Sequence, residues 1–287
     1  MKKCINYWTF PGGLEGKVKV SDAIKMAKKY GYEGIELCFD ERGEVSPETT
    51  KEQAAAMLEE AAKNGIEITS LATGIYWGAN FGSSAQADRD KAVKLTEKYL
   101  ELASWFKVDS ILVVPGAVDV FFNPAAEVVS YDDVYKRSVE CIKKLLPVAE
   151  KFKVAMAIEN VWNRFIMSPL EMKSYIDGFG SKYIGVYFDV GNAIPFGYSQ
   201  QWIRILGNRI KRVHFKDFRF AAGNGGMTGF VDLLNGDVNW TEIMKAFKEI
   251  GYDGPVAAEM IPYYNHHPLA RVELTSIAMD YILGRKN

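Results

Sequence analysis

Short apolar runs rich in β-branched residues alternate with longer amphipathic segments along the whole chain. An apolar run of this kind is typical of a strand, and each amphipathic segment that follows is long enough for a helix. The alternation therefore predicts repeated β-α units and a parallel sheet. Eight such pairs occur, and their strands are predicted at residues 4–8, 34–39, 67–73, 110–115, 154–160, 184–189, 212–216 and 256–260.

Spacing and punctuation predict where the helices lie. One helical face carries apolar residues at steps of three and four, which are Ala92, Leu95, Tyr99, Leu102 and Phe106. Two helices are predicted to begin at Ser46-Pro47 and Ser168-Pro169, where a capping Ser precedes a Pro. Three glycines each end an amphipathic segment just before a strand, and we expect them in the left-handed conformation: Gly31, Gly65 and Gly251.

The number and order of the strands decide between two α/β architectures. Eight strands, each followed by a crossover helix, favour a closed (β/α)8 TIM barrel, for which about 250 residues is a usual length. An open, doubly wound sheet is the less favoured alternative, because no Gly-x-Gly-x-x-Gly turn follows the first strand. No linker rich in Pro, Ser or like charge divides the chain, so residues 1–287 are predicted to form one domain.

Charge and cysteine content narrow the range of partners. The chain has 35 basic and 36 acidic residues without a basic block, which argues against a nucleic-acid partner. Three widely spaced cysteines give no support to a disulfide framework. Neither a membrane span of about 20 apolar residues nor the apolar stretch of a signal peptide is recognisable. We therefore expect a cytoplasmic protein that acts on a small molecule. The chain could form a homo-oligomer, a question that the sequence leaves open.

Polar residues stand where the last four predicted strands end, namely Glu159, Asp189, His214 and Glu259. In a β/α barrel, catalytic groups project from the carboxyl ends of the strands. Three carboxylates and one imidazole that converge there would repel one another and lose hydration unless a cation neutralised them. We therefore predict one divalent metal ion. Mn²⁺ suits the mixed oxygen and nitrogen ligands best, and Co²⁺, Zn²⁺ and Mg²⁺ are alternatives.

The segments around these strand ends resemble those of a known group of barrels. The resemblance lies in Ile158-Glu159-Asn160, Phe188-Asp189-Val190-Gly191-Asn192, Val213-His214-Phe215-Lys216-Asp217, and Gly251-Tyr252-Asp253-Gly254 through Glu259. Over essentially its whole length the chain is similar to the sugar phosphate isomerase and epimerase superfamily of xylose-isomerase-like TIM barrels. This superfamily includes D-tagatose 3-epimerase and L-ribulose-5-phosphate 3-epimerase.

The resemblance implies a site and a reaction. By analogy, Glu159, Asp189, His214 and Glu259 would bind one Mn²⁺-type ion, and the two Glu would also transfer protons. The implied activity is that of an isomerase or epimerase acting on a ketose sugar or sugar phosphate. Such a reaction removes a carbon-bound proton and passes through a metal-stabilised enediolate.

Two departures from the tagatose-type pattern leave the substrate open. Asn192 stands where those epimerases carry a substrate-binding His, and Lys216-Asp217 replaces a longer run toward an Arg, so that Arg219 is only a loose match. The His-x-Lys-Asp segment resembles instead the branch near L-ribulose-5-phosphate 3-epimerase, where Lys216 would serve an anionic or hydroxyl group. The predicted substrate-binding residues are Trp8, Asn160, Trp162, Asn192, Lys216 and Arg219.

Other functions compete with this prediction. An inosose dehydratase of the same superfamily removes water after the same proton abstraction, so a lyase is the nearest alternative. A nuclease similar to endonuclease IV is less favoured, because the chain has only three His. A non-catalytic sugar-binding barrel is a further alternative, against which the full ligand set argues. Glu36 is interpreted as an ion-pair partner rather than a catalytic residue, and the glycine-rich segment 223–229 as a lid.

Overall fold

Eight parallel strands form the centre of the protein. The computed structural model describes residues 1–120, 122–123, 125–223 and 229–286 of the chain. The strands are β1 (Lys2–Asn6), β2 (Gly34–Phe39), β3 (Glu67–Thr73), β4 (Ser110–Val113), β5 (Ala155–Glu159), β6 (Ile184–Asp189), β7 (Ile210–Phe215) and β10 (Pro255–Ala258). They close into a barrel in the order β1-β10-β7-β6-β5-β4-β3-β2. The predicted (β/α)8 barrel is confirmed, and the open doubly wound sheet is wrong.

Helices follow the strands in the described parts of the chain. They are α1 (Val20–Lys29), α2 (Lys51–Lys63), α3 (Gln86–Trp105), α4 (Tyr131–Phe152), α5 (Pro169–Asp177), α6 (Ser199–Leu206), the short α7 (Phe220–Gly223), α8 (Trp240–Glu249) and α9 (Pro268–Ile282). The predicted apolar face of α3 is confirmed, because Ala92, Tyr99 and Leu102 are buried on it. No described helix is both long and apolar enough to cross a membrane.

One of the two predicted helix starts is wrong. Ser168 caps α5 as predicted. Ser46-Pro47, however, lies outside the helix that follows, which begins at Lys51. Thr50 and Gln53 form a reciprocal capping box at that point: the Thr50 hydroxyl accepts from the N–H of Gln53, and the Gln53 side chain accepts from the N–H of Thr50.

The glycines before three strands adopt the expected backbone. Gly31, Gly65 and Gly251 have φ values of 77°, 64° and 70°. This left-handed region is open to Gly at little cost, because no Cβ collides with the backbone. Each glycine therefore ends its helix and redirects the chain into the barrel, as predicted.

The ends of β1 and β7 differ from the prediction. β1 ends at Asn6, whose side chain accepts a hydrogen bond from the N–H of Trp8 and starts a 3-10 turn. After β7 the chain forms an unpredicted antiparallel hairpin of β8 (Asp217–Phe218) and β9 (Phe230–Val231). Residues 224–228 lie outside the described residues, so the lid predicted for segment 223–229 stays a prediction.

Candidate metal centre

The four predicted metal ligands converge at the carboxyl end of the barrel. Glu159 ends β5, Asp189 ends β6, His214 lies near the end of β7, and Glu259 follows β10 directly. The register of the parallel strands pairs Asp189 with His214. One ligand atom from each of the four residues lies within 4.8 Å of the others, and all four are buried. The group can therefore hold a metal ion.

The imidazole of His214 faces three carboxylates. Its Nδ1 lies 3.0 Å from Glu259 Oε2, 3.6 Å from Glu159 Oε1 and 3.9 Å from Asp189 Oδ2. Within the described part of the chain, His214 Nδ1 and Asp189 Oδ2 are buried and form no hydrogen bond of good geometry, although the Lys216 ammonium lies 3.1 Å from Asp189 Oδ2. Such atoms cost free energy unless another group binds them. A divalent cation fits here, because imidazole nitrogen and carboxylate oxygen are its ordinary ligands.

Lys216 brings positive charge to the same cluster. Its ammonium group lies 2.8 Å from Glu259 Oε2 and 3.1 Å from Asp189 Oδ2. Burial lowers the pKa of Lys216, but the nearby carboxylates of Asp189, Glu259 and Glu159 raise it by more, so the lysine stays charged. Gly191 leaves the space that Lys216 needs in this position, because a Cβ at residue 191 would lie 2.7 Å from Lys216 Cβ.

The two glutamates of the cluster have opposite pKa shifts. Burial raises the pKa of Glu159 to about 7. Burial also acts to raise the pKa of Glu259, but Lys216 and His214 more than offset it and lower the pKa to about 2. At neutral pH, without a bound ion, Glu259 is therefore a carboxylate and a large fraction of Glu159 is protonated.

A cavity of about 310 Å³ adjoins the cluster. Lys216 and Glu259 line it, together with Arg271 of α9. The rest of its wall is largely apolar and consists of Asp217, Phe230, Val231, Met260, Ile261 and Pro262. A cavity of this size, with a few polar groups in an apolar wall, is typical of a small-molecule site.

A family model described as a xylose isomerase-like TIM barrel matches residues 24–280. The chain belongs to this family. The resemblance inferred from the strand-end segments is thereby confirmed, and it extends from α1 to α9.

Relatives of this xylose isomerase-like barrel include sugar epimerases. The L-ribulose-5-phosphate 3-epimerase of Salmonella heidelberg is 23% identical over 265 residues, which cover 91% of this chain and 88% of that protein. The crystal structure of a D-psicose 3-epimerase with D-tagatose, from Clostridium cellulolyticum H10, has a TM-score of 0.80 at 18% identity and covers 99% of each chain. Another D-psicose 3-epimerase, in the presence of D-fructose, has a TM-score of 0.79 at 20% identity and covers 99% of this chain and 100% of that one. These structures share the fold of this chain.

Two predicted substrate-binding asparagines lie beside the metal centre of the xylose isomerase-like barrel. Asn160 donates from Nδ2 to the carbonyl of Asp189 at 2.8 Å and accepts from its N–H at 2.8 Å. Asn192 donates from Nδ2 to the carbonyl of Asn160 at 3.0 Å, and its own N–H donates to Asp189 Oδ1 at 2.8 Å. The side chain of Asn160 and the backbone N–H of Asn192 therefore hold Asp189 in place, and contact of either asparagine with substrate stays a prediction.

The two predicted tryptophans lie at different places on the barrel mouth. Trp162 packs against Phe218 and Phe230 with ring centroids 5.3 and 5.2 Å apart, and Phe230 lines the cavity. Trp8 lies partly buried in the 3-10 turn after β1. The structure thus places Trp162 against a ring of the cavity wall, whereas Trp8 belongs to the turn that follows another strand.

Of the two predicted basic residues, only Lys216 contacts the cluster. Arg219 is exposed, and its guanidinium donates to the backbone and side-chain oxygens of Asn235. This contact lies within the loop after β7. A substrate-binding role for Arg219 therefore stays a prediction that rests on the loose motif match.

Two buried charged residues of the site were not predicted as such. Arg271 lines the cavity and lies 3.2 Å from Asp232 Oδ1. No motif marks Arg271 in the sequence, because it lies in α9 and does not follow the end of a strand. Glu36 lies within β2 rather than at its end, and its Oε1 is 2.6 Å from His214 Nε2. Glu36 therefore contacts a candidate metal ligand, and this contact is the predicted ion pair only when His214 is protonated on both ring nitrogens.

Proposed function

We propose that this chain is a metal-dependent epimerase that inverts one carbon of a ketose or ketose phosphate. The observation that carries the proposal is the convergence of Glu159, Asp189, His214 and Glu259, whose ligand atoms lie within 4.8 Å of one another. The L-ribulose-5-phosphate 3-epimerase relative, aligned over 91% of this chain, supports the reaction class. The D-psicose 3-epimerases support a barrel of this shape as a scaffold for it.

The four converging residues would hold one divalent ion, for which Mn²⁺ is the expected metal. When bound, such an ion supplies Lewis-acid stabilisation for negative charge that develops on substrate oxygens as a carbon-bound proton leaves. Asn160 and Asn192 keep Asp189 oriented for this task through their hydrogen bonds to its backbone and carboxylate. The side chains of the protein remove the proton from the substrate carbon and return one to it.

Glu259 and Glu159 form the proposed proton-transfer pair. Glu259 is a carboxylate held beside Lys216 and His214, so it can accept the carbon-bound proton. Glu159, on another strand of the barrel, can return a proton to the carbon. Their strands β5 and β10 are separated by β6 and β7 in the barrel, so the two carboxyl groups approach a substrate from different sides. Removal from one face and return to the other inverts the carbon.

The positively charged side chains that line the cavity favour a phosphorylated substrate. Lys216 and Arg271 both line it. Arg271 is buried, its Nε lies 3.2 Å from Asp232 Oδ1, and its Nη1 donates to the carbonyl of Pro262. A guanidinium has five N–H donors in a planar fork, so Arg271 can still donate to a phosphate oxygen. We therefore place the terminal phosphate of a ketose phosphate toward Arg271.

Arg271→Met is expected to raise KM for a ketose phosphate about 10- to 100-fold, because a hydrogen bond to a charged group contributes roughly 1.5–3 kcal/mol. The KM of the matching unphosphorylated ketose should change little. Arg204→Met is the control, since Arg204 is a surface arginine that pairs with Glu249 of α8. Equal changes in KM for both substrates would show that Arg271 only supports the cavity wall.

Product analysis tests the proposed reaction class. Mn²⁺-loaded protein is incubated with pentuloses, hexuloses and their phosphates, and the products are separated by chromatography and weighed by mass spectrometry. An epimerase yields a stereoisomer of unchanged mass. A product lighter by one water would support the dehydratase alternative, and conversion of none of these sugars would contradict the proposal.

A further inference from the structure

A buried carboxylate lies behind the metal centre, on the far side of the His214 ring. Glu36 is 0% exposed and projects from β2. Its Oε1 is 2.6 Å from His214 Nε2 and accepts a hydrogen bond from Asn6 Nδ2 at 2.6 Å. Its Oε2 accepts from Ser70 Oγ at 2.6 Å and from the hydroxyl of Tyr187. Four strands besides β2 therefore fix the position of this one carboxylate.

The chemistry of these partners decides which ring nitrogen of His214 carries a proton. An ionised carboxylate only accepts hydrogen bonds, so Nε2 has to be the donor to Glu36. Nδ1 is then the nitrogen whose lone pair can bind a cation, and it is the one that faces Glu159, Asp189 and Glu259. The hydrogen bond on one ring nitrogen thus selects the ligand atom on the other.

We infer that Glu36 is a positioning residue of the metal centre, which holds His214 in the Nε2-protonated form and turns Nδ1 toward the ion. This inference rests on the metal site of the proposed function. Asn6, Ser70 and Tyr187 hold the carboxylate, so the orientation of His214 is set by the barrel interior rather than by the mouth loops. Outer partners of this kind raise the affinity of a histidine for its metal.

Glu36→Leu, which removes the acceptor, is expected to weaken Zn²⁺ binding about 10- to 100-fold in a competition titration with a chelator. Glu36→Gln keeps a side-chain oxygen that can accept from Nε2, so it should recover part of the affinity. Glu67→Leu is the matched control, because Glu67 is an exposed glutamate of β3 that pairs with Lys2 and does not contact Glu36 or His214 in the described part of the chain. Its Zn²⁺ affinity should stay close to that of the unaltered protein.

Nuclear magnetic resonance gives a readout that a purely structural role would not move. In the Zn²⁺-loaded unaltered protein and in Glu67→Leu, the His214 ring should show a strongly deshielded proton on Nε2, as a 2.6 Å hydrogen bond requires. Glu36→Gln should shift this signal upfield. Because the unaltered protein is measured too, the test remains decisive even if Glu36→Leu does not fold.

Unchanged Zn²⁺ affinity in a folded Glu36→Leu variant would overturn the inference, as would a proton on Nδ1 in the loaded unaltered protein. Neither measurement uses a sugar. Failure of the proposed epimerase activity with these results intact would therefore refute the reaction but not the role of Glu36. A protein that binds no Zn²⁺ at all would refute the metal site and the inference together.

Discussion

Glu159→Gln and Glu259→Gln should each lower kcat about 100- to 10,000-fold, the range that a general acid or base contributes. Each substitution keeps the shape of the side chain but removes its ability to take up and release a proton. Because both residues are proposed to act in every turnover, either change alone should suppress epimerisation in both directions. Steady-state rates on the best ketose substrate measure the effect.

Metal content has to be measured on the same samples, since both glutamates are also proposed ligands. The comparison is made at a metal concentration that saturates each variant. Glu273→Gln is the control, because Glu273 is an exposed glutamate on α9. A metal-saturated variant that keeps the unaltered rate would remove its glutamate from the proton-transfer pair.

A second large effect is expected at the other two ligands. Asp189→Asn combined with His214→Gln should reduce affinity for a divalent ion by more than about 100-fold. Loss of a residue that only supports a ligand can cost roughly 100-fold, and here two ligands are changed. The unaltered protein should purify with about one ion per chain if chelators are omitted, since its four ligands form a single site. Elemental analysis and chelator competition measure both quantities.

These two substitutions are chosen to preserve the fold. Asn retains an oxygen for the N–H of Asn192, which donates to Asp189 Oδ1 at 2.8 Å. Gln at position 214 retains an amide that can donate to Glu36. Asp177→Asn is the control, because Asp177 is a surface carboxylate that pairs with Arg209. Metal content that is the same in the double variant and in this control would refute the site.

The barrel itself could be predicted because its signal is local and repeated. Each strand is an apolar run, and Gly31, Gly65 and Gly251 mark the step from helix to strand by the one backbone conformation that Gly favours. The error at Ser46-Pro47 arose because a Ser-Pro pair also suits a turn. Thr50 offered a competing cap whose Gln53 partner completes the box, and the sequence alone does not rank the two.

The metal centre could be predicted because each ligand interrupts an apolar strand at its carboxyl end. Glu36 is also a charged residue in an apolar strand, β2. Its role, however, depends on a contact across the barrel with His214, which the sequence does not show. Arg271 is beyond such reasoning, because it lies in a helix and not at the end of a strand. Its place at the cavity follows from the position of the first turn of α9.

Incorporation of solvent deuterium tests most directly the central claim, that one carboxyl group removes the carbon-bound proton and a second one returns a proton to the same carbon. Mn²⁺-loaded protein is allowed to epimerise its ketose substrate in D₂O, and the product is analysed by mass spectrometry and proton nuclear magnetic resonance. Because one glutamate removes the proton and the other returns one that exchanges with solvent, the product should carry a single deuterium at the inverted carbon. Incorporation should be lost in Glu259→Gln and after removal of the metal by a chelator. An epimer that forms in D₂O without deuterium at that carbon would contradict the account.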